Sequence, residues 1–312
     1  MSHERARPAA TVVRFRGEPG VRLTAGAVSA VFLPELGLTG VSLRHGRSEF
    51  LALPGGLDQL RSGATAGLPL LAPWANRLSQ WHYRVGRTRV DLRGRDVTND
   101  ANGLPIHGLL CGRSRWTVAH LGAVRSTARL RATIDVDSPA FPFPHTLEVE
   151  ARVDERGLSV DTTVRATGRR AVPVGFGWHP YLRLPGTPRR HWTLHLPARR
   201  HRLLDGRGIP TGAVRDEPRE AALIGSRTFD DLYEPRAGRT WAVSAPTGPS
   251  VRMQAGAGYH FAQVWVPPGR PFIALEPMTV ATDALVRQDV PSVPPGDSFT
   301  ARFRLILPTG NE

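Results

Sequence analysis

The sequence predicts an all-β protein built as one large antiparallel β-sandwich, and three observations predict it. Apolar and polar residues alternate with a period of two along most of the chain, the pattern of strands that bury one face. Turn formers are frequent, with 32 glycines and 28 prolines among 312 residues, which favours many short strands over long helices. No window of twelve or more residues carries the i, i+3, i+4 apolar spacing of an amphipathic helix.

Taken in order, strands are predicted at 21–24, 27–33, 40–43, 50–53, 84–92, 116–121 and 128–136. Further along they fall at 146–153, 158–165, 192–196, 241–244, 250–254, 261–266, 272–275 and 300–307. The stretch 148–164 reads as a hairpin, because Glu155-Arg-Gly157 separates two alternating segments with a glycine-containing loop. Helix is confined to short turns near 56–61 and 281–286. Residues 1–12 read as a flexible N-terminal tail and 13–312 as a single domain, since neither a linker nor a fixed-period repeat interrupts the pattern.

Composition narrows the function classes. No apolar run approaches the roughly 20 residues needed to cross a bilayer, and the polar start resembles no secretory signal, so a cytoplasmic location without membrane attachment is expected. Cys111 is the single cysteine, which excludes an internal disulfide framework and a multi-cysteine metal site. The formal charge is +14, yet all 41 basic residues are arginine and they are dispersed. Arg129 and Arg131, like Arg302 and Arg304, alternate with apolar residues as on the solvated face of a strand. No basic arm or basic helix emerges, so nucleic acid is not an expected partner. His191-Trp-Thr-Leu-His195 has the spacing of a helical metal pair, but it lies in a predicted strand, where residues four apart are about 13 Å apart. No metal or cofactor is expected.

Polar residues set among glycine, proline and aromatic residues mark the candidate chemistry. In Leu71-Ala-Pro-Trp-Ala-Asn-Arg-Leu78, Asn76 and Arg77 sit inside an apolar stretch and need partners. A guanidinium fork suits sugar hydroxyls or a carboxylate, or closes a structural ion pair. His107 lies between Ile106 and Gly108, where a tight turn can project its ring into a site or leave it as a structural or surface histidine. Pro173-Val-Gly-Phe-Gly-Trp-His-Pro-Tyr181 places Trp178, His179 and Tyr181 in a crowded aromatic setting of the kind a sugar pocket uses. Glu276 ends the apolar run Phe272-Ile-Ala-Leu; partial burial there raises a carboxyl pKa toward neutrality, as a general base near pH 7 requires, or the carboxylate closes a structural pair with a neighbouring arginine. Asp230 and Asp231, flanked by Phe229 and Tyr233, can hold hydroxyls or cap a turn.

In this order, the Asn-Arg, His-Gly, His-Pro-Tyr, Phe-Asp and Leu-Glu-Pro-Met-Thr segments resemble the aldose 1-epimerase (galactose mutarotase) family, over about 22–307. The resemblance implies a galactose mutarotase-like supersandwich with the sugar in an open cleft. It implies Glu276 as general base, His179 as general acid and His107 as a second histidine that polarises the sugar. Arg77 and Asn76, with Asp230, Tyr181 and Trp178, are the implied substrate-binding residues, and Asp231 competes with Asp230 for its role. The chain departs from the family's galactose enzymes at His107-Gly-Leu-Leu, where they carry His-Gly-Gly, and in Trp178-His-Pro-Tyr-Leu. The resemblance therefore implies a reaction type and not a particular sugar.

The expected activity is interconversion of the α and β anomers of a free aldose by a monomer or homodimer. A sugar-phosphate epimerase of the same fold and a non-catalytic carbohydrate-binding or sensing protein are the alternatives. A glycoside hydrolase would need two carboxylates flanking the bond, and only Glu276 has such a setting.

Overall fold

The computed structural model describes residues 7–308. Its centre is a pair of large antiparallel sheets. The nine-stranded sheet runs from the edge strand Glu220–Leu223 through Ser298–Ile306, Gly157–Ala166 and Phe141–Asp154 to Thr117–Val124. The eight-stranded sheet carries Phe229–Ala237, Phe261–Val266 and Ile273–Met278 side by side, with Gly177–Trp178 and Tyr181–Leu182 beyond them. A five-stranded sheet, Ala9–Phe15 to Ser48–Glu49, packs at the N-terminal end. The main core lies between the two large sheets: Trp178 of one packs on Phe303 of the other, and its indole N–H donates to Thr162 Oγ1 at 3.0 Å.

The hairpin expected at 148–164 is formed by Phe141–Asp154 and Gly157–Ala166, whose burial alternates residue by residue. Two strand expectations and the expected tail need correction. The 50–53 segment makes only an isolated bridge from Leu51 to Leu182. The 84–92 segment is a small hairpin, His82–Val85 with Thr88–Asp91, turning at Gly86 with φ 55°. The tail shortens, because Ala9–Phe15 is a strand paired along its whole length with Glu18–Ala25. Arg16 and Gly17 join them at φ 50° and 90°, the left-handed geometry that a two-residue hairpin turn demands. Residues 1–6 of the expected tail lie outside the described residues.

Strands Ala198–Leu204, Pro210–Glu217, Glu220–Leu223 and Phe229–Ala237 carry no alternation legible in sequence. Pro210–Glu217, for example, is exposed at nearly every position, so no buried face stamps a period on it. The helix Gly56–Arg61 forms as expected, and the second short helix lies slightly later, at Ala284–Arg287. Among the described residues, no helix is long and apolar enough to cross a membrane.

Candidate active site

Strand register assembles the site. Leu232, Gln263 and Glu276 are direct cross-strand neighbours, and Asp230, Trp265, Ala274 and Tyr181 form the next row. Side chains two apart on a strand share a face, so Asp230, Gln263, Trp265, Glu276 and Tyr181 project from one surface. The intervening residues, including Asp231, Leu275 and Trp178, project from the other.

Two loops deliver the remaining groups onto that surface. Asn76 and His107 adopt φ of 56° and 63°, a region uncommon for residues other than glycine and enriched at functional sites. The His107 amide donates to the Asn76 carbonyl at 3.2 Å, and Arg77 bridges Ile106, so the Asn-Arg and His-Gly segments are laced together. Gly108 is required at this crossing, since a Cβ there would lie 2.1 Å from the Ala72 carbonyl oxygen.

His179 Nε2 lies 3.4 Å from Glu276 Oε1. The His107 ring meets the His179 ring edge-on at a centroid distance of 5.7 Å, and Tyr181 stacks on the opposite side at 4.5 Å. Trp265 abuts both His179 and Tyr181, while the Tyr181 hydroxyl pairs with Thr65 Oγ1 at 2.7 Å. At the rim, Arg77 donates from Nε to Asp100 at 2.8 Å and from Nη2 to Asp230 at 3.2 Å. Gln263 donates to the second Asp230 oxygen at 2.7 Å. The side chains of Glu276 and His179 are 2% and 6% exposed, whereas Asp230 is 42% exposed. Glu276, His179 and Gln263 are thus nearly sealed from solvent, whereas Asp230 reaches the surface.

Burial sets the protonation of the floor. Desolvation raises the Glu276 carboxyl well above its ordinary value, reinforced by Asp230 and opposed by Arg77. Burial also pushes His179 down to about 3 and His107 well below its ordinary value, with the Arg77 charge acting in the same direction on both. Both shifts favour the uncharged partners, a protonated carboxyl on Glu276 and a neutral imidazole on His179. Five polar atoms of these residues are buried without a partner inside the protein: Asn76 Nδ2, His107 Nδ1, His179 Nδ1, Gln263 Oε1 and Glu276 Oε2. Such atoms are costly when left unpaired, and a polyhydroxylated ligand can satisfy several at once.

The structure brings Arg77, Asn76, His107, His179, Tyr181, Asp230 and Glu276 together. Trp178 does not join them. It is fully buried on the opposite face, bonded to Thr162, because it is one residue out of phase with His179. Asp231 likewise turns away, toward His201 at 3.2 Å and the Tyr233 hydroxyl. Three site residues escaped the sequence reading. Gln263, only 1% exposed within the apolar strand Phe261–Val266, carried a signal as a polar residue at a core position. Trp265 shares its face two residues on. Asp100 reads in sequence as a turn former, and it does accept from the Asn102 and Leu104 amides; nothing local reveals that its other oxygen holds Arg77. Cys111 is buried, with its thiol pushed up to about 12 by desolvation, which disfavours the thiolate.

The aldose 1-epimerase family profile matches residues 21–305. Among solved structures, a galactose mutarotase-like protein from Clostridium acetobutylicum superposes with a TM-score of 0.85 at 17% identity, covering 97% of this chain and 99% of that one. A galactose 1-epimerase from Lactobacillus acidophilus superposes with a TM-score of 0.77 at 13% identity, over 97% and 100% of the two chains. An aldose epimerase homologue from C. elegans gives 0.77 at 14% identity over the same shares. At these identities the superpositions establish the shared galactose mutarotase-like fold, and the profile match across nearly the whole sequence establishes that this chain belongs to the aldose 1-epimerase family.

Proposed function

We propose that the protein interconverts the anomers of an unphosphorylated aldose by acid–base ring opening. The approach of Glu276 to His179, 3.4 Å apart on a buried floor beneath a polar rim, carries this reading. Opening the ring requires a proton to leave the anomeric hydroxyl while another reaches the ring oxygen. Glu276 as carboxylate takes the first and His179 as imidazolium gives the second, and the C1–O5 bond breaks to leave an aldehyde. Rotation about C1–C2 presents the other carbonyl face, and the reversed transfers close the ring as the opposite anomer. Each positioned acid or base contributes on the order of 10²–10⁴-fold.

The working pair and the resting pair differ only in which partner holds the shared proton. A protonated Glu276 beside a neutral His179 is the state that accompanies the open-chain sugar. The carboxylate–imidazolium form needed for the cyclic sugar has the same net charge, and Arg77 favours the ionised Glu276. His107 polarises the sugar, while Arg77, Asp230 and Gln263 meet hydroxyls at the rim.

Charge at the rim favours a neutral sugar over a sugar phosphate. Arg77 already carries Asp100 and Asp230, so a phosphate dianion approaching it also meets two carboxylates. Polarimetry of freshly dissolved α-glucose and α-galactose, beside their 6-phosphates, tests the proposal. Equilibration of a free aldose is expected to outpace buffer and to revert to the buffer rate in His179→Asn. Buffer-rate equilibration of every free aldose would instead favour a protein that binds sugar without turning it over.

A further inference from the structure

The N-terminal five-stranded sheet carries a second concave surface, built from residues unconnected with proton transfer. Register places Arg22, Val31 and Ser42 in one cross-strand row, and Thr24, Ser29, Arg44 and Glu49 in the next. Alternation directs both rows to the same face. Arg16 and Arg47 enter from two turns and Arg183 from the chain after Tyr181–Leu182, and the hollow they help to line encloses about 830 Å³. That size lies within the usual range for small-molecule sites, about 300–1,000 Å³.

Charge in this hollow is out of balance. Its lining contains five arginines and one carboxylate. That carboxylate, Glu49, is already engaged by the Ser42 hydroxyl, the Leu43 and Leu51 amides and Arg44. Among the described residues, no carboxylate pairs with Arg16, Arg22, Arg47 or Arg183. Four uncompensated guanidiniums on one concave wall repel one another and focus positive potential into the hollow. The Thr24 and Ser29 hydroxyls add donors between them, and Phe15, Leu51 and Leu53 supply an apolar margin.

We infer that this hollow binds a small molecule carrying two linked phosphates, of the nucleoside diphosphate kind. A guanidinium fork pairs with phosphate oxygens two at a time. One phosphate has oxygens for about two forks, so four unpaired forks call for two phosphates. Arg22 and Arg44 lie two strands apart, about 10 Å across the sheet, which gives the hollow the width of a diphosphate while Arg44 stays paired with Glu49. The concave outline suits a compact anion better than a duplex, which needs an extended basic stripe.

Isothermal titration calorimetry of the full chain at low ionic strength, with inorganic pyrophosphate as the probe, tests the inference. Pyrophosphate is expected to saturate below about 1 mM and to bind at least about tenfold more tightly than orthophosphate. The double variant Arg22→Gln/Arg47→Gln is expected to weaken pyrophosphate binding at least about tenfold, with its thermal midpoint without ligand and its anomerisation rate unchanged. Arg47→Gln alone, in an exposed turn, provides the same reading if the double variant folds poorly. Three results overturn the inference: no heat with pyrophosphate, equal affinity in the variants, or equal affinity for orthophosphate. Tighter binding of single-stranded DNA that strengthens with oligonucleotide length also overturns it, by assigning the surface to an extended polyanion.

Discussion

Replacing Glu276 with glutamine keeps the shape of the side chain and removes its proton chemistry, so activity and stability respond with opposite sign. In the folded protein, burial keeps the carboxyl protonated far above its ordinary range; in the unfolded chain it ionises near pH 4.5. Between those two values unfolding releases a proton, and the wild-type protein loses stability as pH rises. The slope is about 1.4 kcal/mol per pH unit for one retained proton. Glutamine does not titrate, so the stability difference in favour of Glu276→Gln grows by that amount with each unit. The difference accumulates at that slope, on the order of 1 kcal/mol per pH unit, over the range in which only the folded protein keeps the proton. Over the same range the variant lacks the proposed base, and the proposed anomerisation is expected to fall by about 10²–10⁴-fold. Urea denaturation of both proteins at pH 5, 6 and 7, paired with polarimetry, measures both effects. A variant that keeps the wild-type rate, or a stability difference that stays constant across pH, refutes the reasoning.

Other outcomes follow from the same geometry. Asp230→Asn weakens charge-assisted bonds to Arg77 and Gln263 and is expected to lower kcat/KM by about 10–100-fold, while Asp231→Asn, on the opposite face, leaves it within about twofold. Steady-state kinetics of the two neighbours settles which aspartate serves the sugar. Trp178→Phe loses the bond to Thr162 and some packing on Phe303, so urea denaturation should show a loss of about 1–3 kcal/mol, with kcat/KM unaffected. In the proposed mechanism the Glu276–His179 pair works when one of the two carries the transferable proton. His179 gains a second proton only near 3, and Glu276 gives up the shared one only well above its ordinary range. The pH profile of kcat/KM should therefore hold on the acid side down toward about 3 and fall on the alkaline side only above the ordinary carboxyl range. A narrow bell bounded by ordinary carboxyl and imidazole values contradicts this account.

Sequence by itself determined the strand-rich architecture, because burying one face of a strand imposes a period of two that single residues display. It determined the hairpin at 148–164 and the apolar setting of Glu276 in the same way, from local pattern. Exposed strands such as Pro210–Glu217 stayed invisible, since without a buried face nothing constrains their side chains to alternate. What only the tertiary structure decided was phase and long-range partnership. Whether Asp230 or Asp231, and whether Trp178 or His179, faces the site depends on strand register, and a shift of one residue reverses every choice. Asp100 and Gln263 entered the site through contacts with residues 23 and 33 positions away in the chain. Such contacts come into being only when distant strands and loops close together, so no local pattern of residues encodes them.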